Sequence, residues 1–159
     1  QRQMCIRDSA YAGWVAGLDR RAYLRRIPEV LEMIELPEIE NSRVGNLSGG
    51  QTRRVGIAAS LIHSPDILFL DEPTAGLDPQ ARIEVRHLLN RLKDSATIIL
   101  STHLQDDLEH VADNVVALHN GRVAYEGEWS RLKAVSADDF SSVSTDPLER
   151  ALAYVASKS

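Results

Sequence analysis

The chain reads as an α/β protein with a mainly parallel sheet and a helical portion ahead of it. Ile67-Leu68-Phe69-Leu70 is an unbroken apolar run, as expected of a strand covered on both faces. Helical periods flank it, with Val55, Ala58, Ala59 and Ile62 before it and Val85, Leu88, Leu89 and Leu92 after it. A β-branched run from Thr97 to Leu100 then supplies a second strand. Open sheets of this kind bind ligands beyond the carboxyl ends of their strands, and that is where acidic and imidazole side chains follow here.

From the start, residues 1–9 (QRQMCIRDS) carry no apolar period and are expected to be a non-native leader in place of upstream sequence. Tyr11 and Trp14 are expected to pack. Asp19 is placed to cap a helix through Arg26, and Ile27, Val30, Leu31 and Ile34 line one face of a second helix ended by Pro37. Pro28 fits only as an early position or a kink. Arg20, Arg21, Arg25 and Arg26 read as a solvated basic face.

The stretch from Asn46 to Asp78, NLSGGQTRRVGIAASLIHSPDILFLDEPTAGLD, carries the chemistry. Ser48, Gly49, Gly50 and Gln51 place a capping hydroxyl and two glycines at a helix start. Unpaired backbone N–H groups and the positive end of the helix dipole favour an anion there. Arg53 and Arg54 fall outside the apolar stripe and are expected to be solvent-facing or structural rather than catalytic; the helix stops at Ser64-Pro65. Asp71 and Glu72 follow the strand directly, and Pro73 blocks the ladder. Asp78-Pro79 is a helix entry, a capping carboxylate followed by proline at the first helical position, for a helix through Asp94.

His103 again stands at a strand's carboxyl end, after Ser101-Thr102. A helix with Leu108, Val111 and Ala112 facing inward leads to a strand from Val115 to Leu118. Asn120-Gly121 accepts positive φ at both positions and predicts a two-residue hairpin turn into Arg122–Glu126, with Gly127 closing the core. Residues 133–146 are expected to be a polar linker, because SADDFSSVSTD from Ser136 is serine-rich. Pro147 opens a last helix, residues 147–159, whose Leu148, Ala151, Leu152 and Val155 must dock on this domain or on a partner. His63, His87, His110 and His119 read as surface or packing residues.

At 159 residues the chain suffices for one domain with a real core. Cys5 is the only cysteine, so no intrachain disulfide can form, which suits a reducing cytosol. Apolar runs are far shorter than a membrane span. A formal net charge of -5 argues against a general nucleic-acid surface, and no nucleic-acid partner is expected.

LSGGQ at 47–51, ILFLDEP at 67–73, AGLD at 75–78 and STH at 101–103 together resemble the ATP-binding-cassette (ABC) ATPases, whose names for them are signature, Walker B, D-loop and switch histidine. The resemblance covers residues 10 to 132. It implies a P-loop NTPase (RecA-like) core, with 10–47 belonging to the helical subdomain and 48–132 to the signature helix and later half of the core. It also implies ATP as substrate with Mg2+. Asp71 would hold Mg2+ through its water shell, Glu72 would act as general base, and His103 would contact the γ-phosphate. Asp78 would face a second ATPase protomer in a head-to-tail dimer, and Ser48, Gly49, Gly50 and Gln51 would meet the ATP of that protomer. Closure of the dimer would drive transmembrane permease subunits, with the ATPase on the inner face of the cell membrane. The wording of 53–89 and of STHLQDD resembles efflux-type or multidrug-type exporters.

A phosphate loop of the form G-x-x-x-x-G-K-[ST] is absent, since the lysines are Lys93, Lys133 and Lys158 and none follows a glycine. The family's adenine-stacking aromatic and glutamine loop are absent too. The chain is therefore expected to be an incomplete ABC domain that begins within its helical part and is inactive alone. The family's first strand would lie between Thr97–Leu100 and Val115–Leu118; without it, a groove of unpaired backbone and apolar side chains is expected. Two alternatives stand beside the transporter. One is a soluble ABC ATPase acting on ribosomes or DNA; the other is a noncatalytic module lending its signature turn to another subunit's ATP.

Overall fold

The computed structural model describes Gly17, residues 19–140 and residues 147–157; the leader, Tyr11 and Trp14 lie outside them. Two compact units divide the chain, Gln1–Thr102 and His103–Ser159. The boundary falls inside the segment expected to form one continuous core.

In the first unit, α1 spans Arg20–Met33. Asp19 caps it, accepting from the Arg21 and Ala22 N–H groups at 2.7 and 2.8 Å. The two helices expected here are one. Pro28 lies inside α1 on its exposed side, where water reaches the carbonyl that proline cannot serve. Ile27, Val30, Leu31 and Ile34 are buried as their spacing predicts. Short 3-10 turns at Pro37–Ile39 and Val44–Asn46 lead to α2, Gly49–Leu61.

Of the two roles expected for Arg54, solvent-facing or structural, the structural one holds, since on α2 it is only 9% accessible. Its Nη1 donates to the Ile34 carbonyl at 3.2 Å, and its Nη2 pairs with Glu84 at 3.1 Å. Arg91 donates to the neighbouring Met33 carbonyl at 3.3 Å and pairs with Glu35 at 3.0 Å. Two guanidinium groups thus serve carbonyls at the end of α1 that have no partner within the helix.

After α2 come β1 (Ile67–Asp71), α3 (Pro79–Leu92) and β2 (Thr97–Ser101). The strands pair in parallel from Ile67↔Thr97 to Asp71↔Ser101. Cover on both faces of β1 was expected, but only one face has it. Leu68 is 3% exposed, whereas Phe69 is 71% exposed, and Ile67 and Ile99 lie open on the same face. No described element of the first unit covers that face.

The second unit contains α4 (Gln105–His110), β3 (Asn114–His119), β4 (Arg122–Glu128), α5 (Trp129–Phe140) and α6 (Pro147–Ser157). Asn120 and Gly121 have φ of 49° and 74°, the turn geometry their sequence predicts, and β3 and β4 pair antiparallel with an irregularity at Ala117/Leu118. β1–β2 and β3–β4 are separate two-stranded sheets. The expected linker is shortened, because α5 continues through Phe140. Trp129 and Leu132 on its first turns bury against Ala151 and Val155 of α6, and tertiary packing outweighs local composition. Of the expected stripe on α6, Ala151 and Val155 dock within this unit, whereas Leu152 stays 55% exposed, and the side chain of Leu148 lies outside those described.

Lys133 lies 2.6 Å from Glu109 Oε2 and 5.7 Å from the Trp129 ring centre. Its hydrogen bond and charge hold the Glu109 carboxyl below the ordinary 4.5. A carboxyl with a lowered folded-state pKa contributes stability that is present above its ordinary pKa and lost as pH falls through the folded value. Lys133→Met should therefore melt below the parent protein at neutral pH, and the gap should close as pH falls below 4.5 through the lowered folded-state value, measured by melting against pH. In urea unfolding, Arg54→Met should cost about 2–3 kcal/mol by orphaning the Ile34 carbonyl. Glu84→Gln should cost less than about 1 kcal/mol, because Glu84 is 38% exposed.

Candidate functional site

At the carboxyl end of β1, the register Asp71↔Ser101 sets Ser101 beside both acidic residues. Its hydroxyl donates to Asp71 Oδ1. The Glu72 N–H donates in turn to the Ser101 carbonyl at 3.0 Å and to its hydroxyl oxygen at 3.2 Å. Glu72 has φ 44°, in the left-handed region that a side chain seldom occupies. Such strain persists only where neighbours enforce it, and here Ser101 and the buried Pro73-Thr74 that follow do so. The carboxylate of Asp71 is exposed at the rim.

The glycine turn begins α2 as its spacing predicts, with more structure than a single cap. Ser48 Oγ accepts from the Gln51 N–H at 3.1 Å, and Gln51 Oε1 accepts from the Ser48 N–H at 3.0 Å, a reciprocal capping box. Gln51 thus has a structural role that its place in the motif did not reveal. Ser48 and Gly49 are exposed, and Gly50 is buried.

Asp78 caps α3, accepting from the Ala81 N–H at 3.0 Å, with Pro79 at the first helical position. Arg53 does not simply face solvent, because its Nη2 donates to the Ala75 carbonyl at 3.3 Å and ties the glycine-turn helix to the loop after β1. Between them lies a groove of about 630 Å³, lined by Gly49, Arg53, Phe69, Asp71 and Leu77 among others. The first unit thus gathers Asp71, Glu72, Asp78 and the 48–51 turn. His103 is the exposed first residue of the second unit.

Ser101 and Arg53 are the residues that sequence reasoning undervalued. Ser101 had a legible signal, since parallel strands of equal length that end together bring it opposite Asp71. Arg53 had none, because its partner is a backbone carbonyl far along the chain.

The oxygen donors suit Mg2+. One exposed carboxylate, its other oxygen held by a serine, can anchor a cation that prefers one or two carboxylates and several waters. Among the described residues, no group of three or more His, Cys, Asp or Glu forms a metal cage. Phosphate fits the exposed start of α2, where the Gly49 and Gly50 N–H groups precede the first intrahelical bonds.

Residues 2–75 match the family described as ABC transporter. The uncharacterized ABC transporter ATP-binding protein YxlF of Bacillus subtilis is 41% identical over 123 residues, covering 77% of this chain and 42% of that protein. The energy-coupling factor transporter ATP-binding protein EcfA2 of Latilactobacillus sakei is 42% identical over 125 residues, covering 76% and 43%. This chain therefore spans less than half the length of these two curated relatives. A solved ATP-binding subunit of an ABC transporter superposes with a TM-score of 0.69 at 27% identity, covering 96% of this chain and 62% of that one. Motif order, an α/β fold with a parallel strand pair, and these likenesses agree: the chain belongs to the ABC family of transporter ATP-binding proteins, with the P-loop NTPase fold.

Proposed function

We propose that this chain forms the later part of an ATP-hydrolysing subunit that powers transport through a membrane permease. The observation that supports it most is the Asp71-Glu72 pair, held by Ser101 at the end of a parallel strand, in the same unit as a capped glycine turn. Asp71 would hold Mg2+ through coordinated water. When bound, Mg2+ spreads the charge of the transferring phosphoryl group.

Glu72 accepts the proton of the attacking water as its oxygen bonds to the γ-phosphorus and the bond to the β-phosphate oxygen breaks. His103 would orient the water and the γ-phosphate. Ser48, Gly49, Gly50 and Gln51 offer a positive helix start to the ATP of a second protomer, and Asp78 faces that protomer. A site completed in trans accounts for two phosphate-facing features in a chain that has no glycine-lysine loop. Nucleotide would then shift a balance between open and closed dimers, and the permease would follow. No described helix is long and apolar enough to cross a membrane.

The 159-residue chain alone should show no Mg-ATP turnover, and activity abolished by Glu72→Gln would overturn the assignment of an incomplete site. In a complete subunit, with a phosphate loop joined upstream, Glu72→Gln should lower kcat by about 10²–10⁴-fold while nucleotide still binds and holds the dimer closed. Undiminished turnover would remove Glu72 from its role. Ser48→Ala should lower stability by about 1 kcal/mol through loss of the cap and impair hydrolysis more than nucleotide capture by its own subunit. Equal loss of both would contradict action in trans.

A further inference from the structure

The two glycines of the 48–51 turn have different surroundings. A Cβ on Gly49 would meet only Leu77 Cδ2, at an ordinary 3.8 Å. A Cβ on Gly50 would lie 2.7 Å from Ala81 Cβ and 3.6 Å from Ala81 Cα. The first distance is closer than real side chains approach, and the obstacle is a rigid methyl on the first turn of α3. Ala81 also supplies the N–H that Asp78 caps. Gly50 therefore faces the capped start of α3, and Gly49 faces outward.

We propose that Gly50 is a positioning residue, whose missing side chain lets the anion-facing start of α2 seat directly on the Asp78-capped start of α3. Three further ties make the seating rigid. Arg53 holds the Ala75 carbonyl at 3.3 Å, Leu77 is buried beside Gly49, and Arg54 pairs with Glu84 at 3.1 Å farther along the two helices. The 48–51 turn and the 72–78 loop move as one body. A phosphate drawn to the turn would thereby reposition the loop that follows Glu72, which couples ligand capture to the catalytic rim. Gly49 supplies the open surface to the phosphate, and Gly50 supplies the spacing. The functional half of this inference rests on the ATPase assignment; the packing half does not.

A cycle of Gly50→Ala, Ala81→Gly and the double variant tests the packing in the full chain by thermal melting. Alanine is the better helix former, so a lower melting point for Gly50→Ala can come only from lost packing. Ala81→Gly alone should also melt lower, yet the double variant should melt about 3 °C or more above Gly50→Ala. Additive effects would overturn the contact. In a complete subunit with a phosphate loop upstream, Gly50→Ala should lower kcat about tenfold or more, and Ala81→Gly should restore most of it. Gly49→Ala should lower turnover with no change in melting and no rescue by Ala81→Gly. Equal rescue of both glycine variants, or rescue of neither, would overturn the division of roles. If the parent subunit hydrolyses no ATP, the ATPase assignment fails while the melting cycle still decides the Gly50 contact.

Discussion

The helical part of the first unit depends on one buried cation. Arg54 reaches the end of α1 through the Ile34 carbonyl and the side of α3 through Glu84, so three helices meet at one side chain. A guanidinium suits this position because its fork donates in two directions at once. The same pairing is one of the ties between α2 and α3. The capped starts of these helices carry the glycine turn and Asp78, two ligand-facing features.

At the rim, the controlling constraint is strand register. Parallel pairing from Ile67↔Thr97 onward leaves Asp71 and Ser101 opposite each other at the last step, and a slip of one residue would put Leu100 there instead. Ser101 then restrains Asp71 through its hydroxyl and Glu72 through both its oxygens. The adjoining acids consequently have different surroundings. One ends a strand with its carboxylate at the rim, and the other turns into the left-handed region, a difference that suits a metal anchor beside a proton acceptor.

Both sheets keep apolar surface open. Phe69 and Ile99 on β1–β2, and Val116, Leu118 and Val123 on β3–β4, are each about half exposed or more. The all-apolar Ile67–Leu70 run reads as a strand meant for cover on two sides, and one of those sides is bare here. Two-stranded sheets seldom stand alone, so each unit draws its stability mainly from helices: α1, α2 and α3 in the first, α5 on α6 in the second.

Local chemistry made much of this legible in the amino-acid sequence. Caps at Asp19, Ser48 and Asp78, the Asn120-Gly121 turn, the strands and the acid pair that follows β1 depend on neighbouring residues and backbone preferences, so short strings determine them. Tertiary structure decided the burial of Arg54, the extension of α5 past Ser136 and the unequal surroundings of Gly49 and Gly50. Each of these depends on a partner distant in sequence, and periodicity reports which face of an element is apolar without saying what will lie against it.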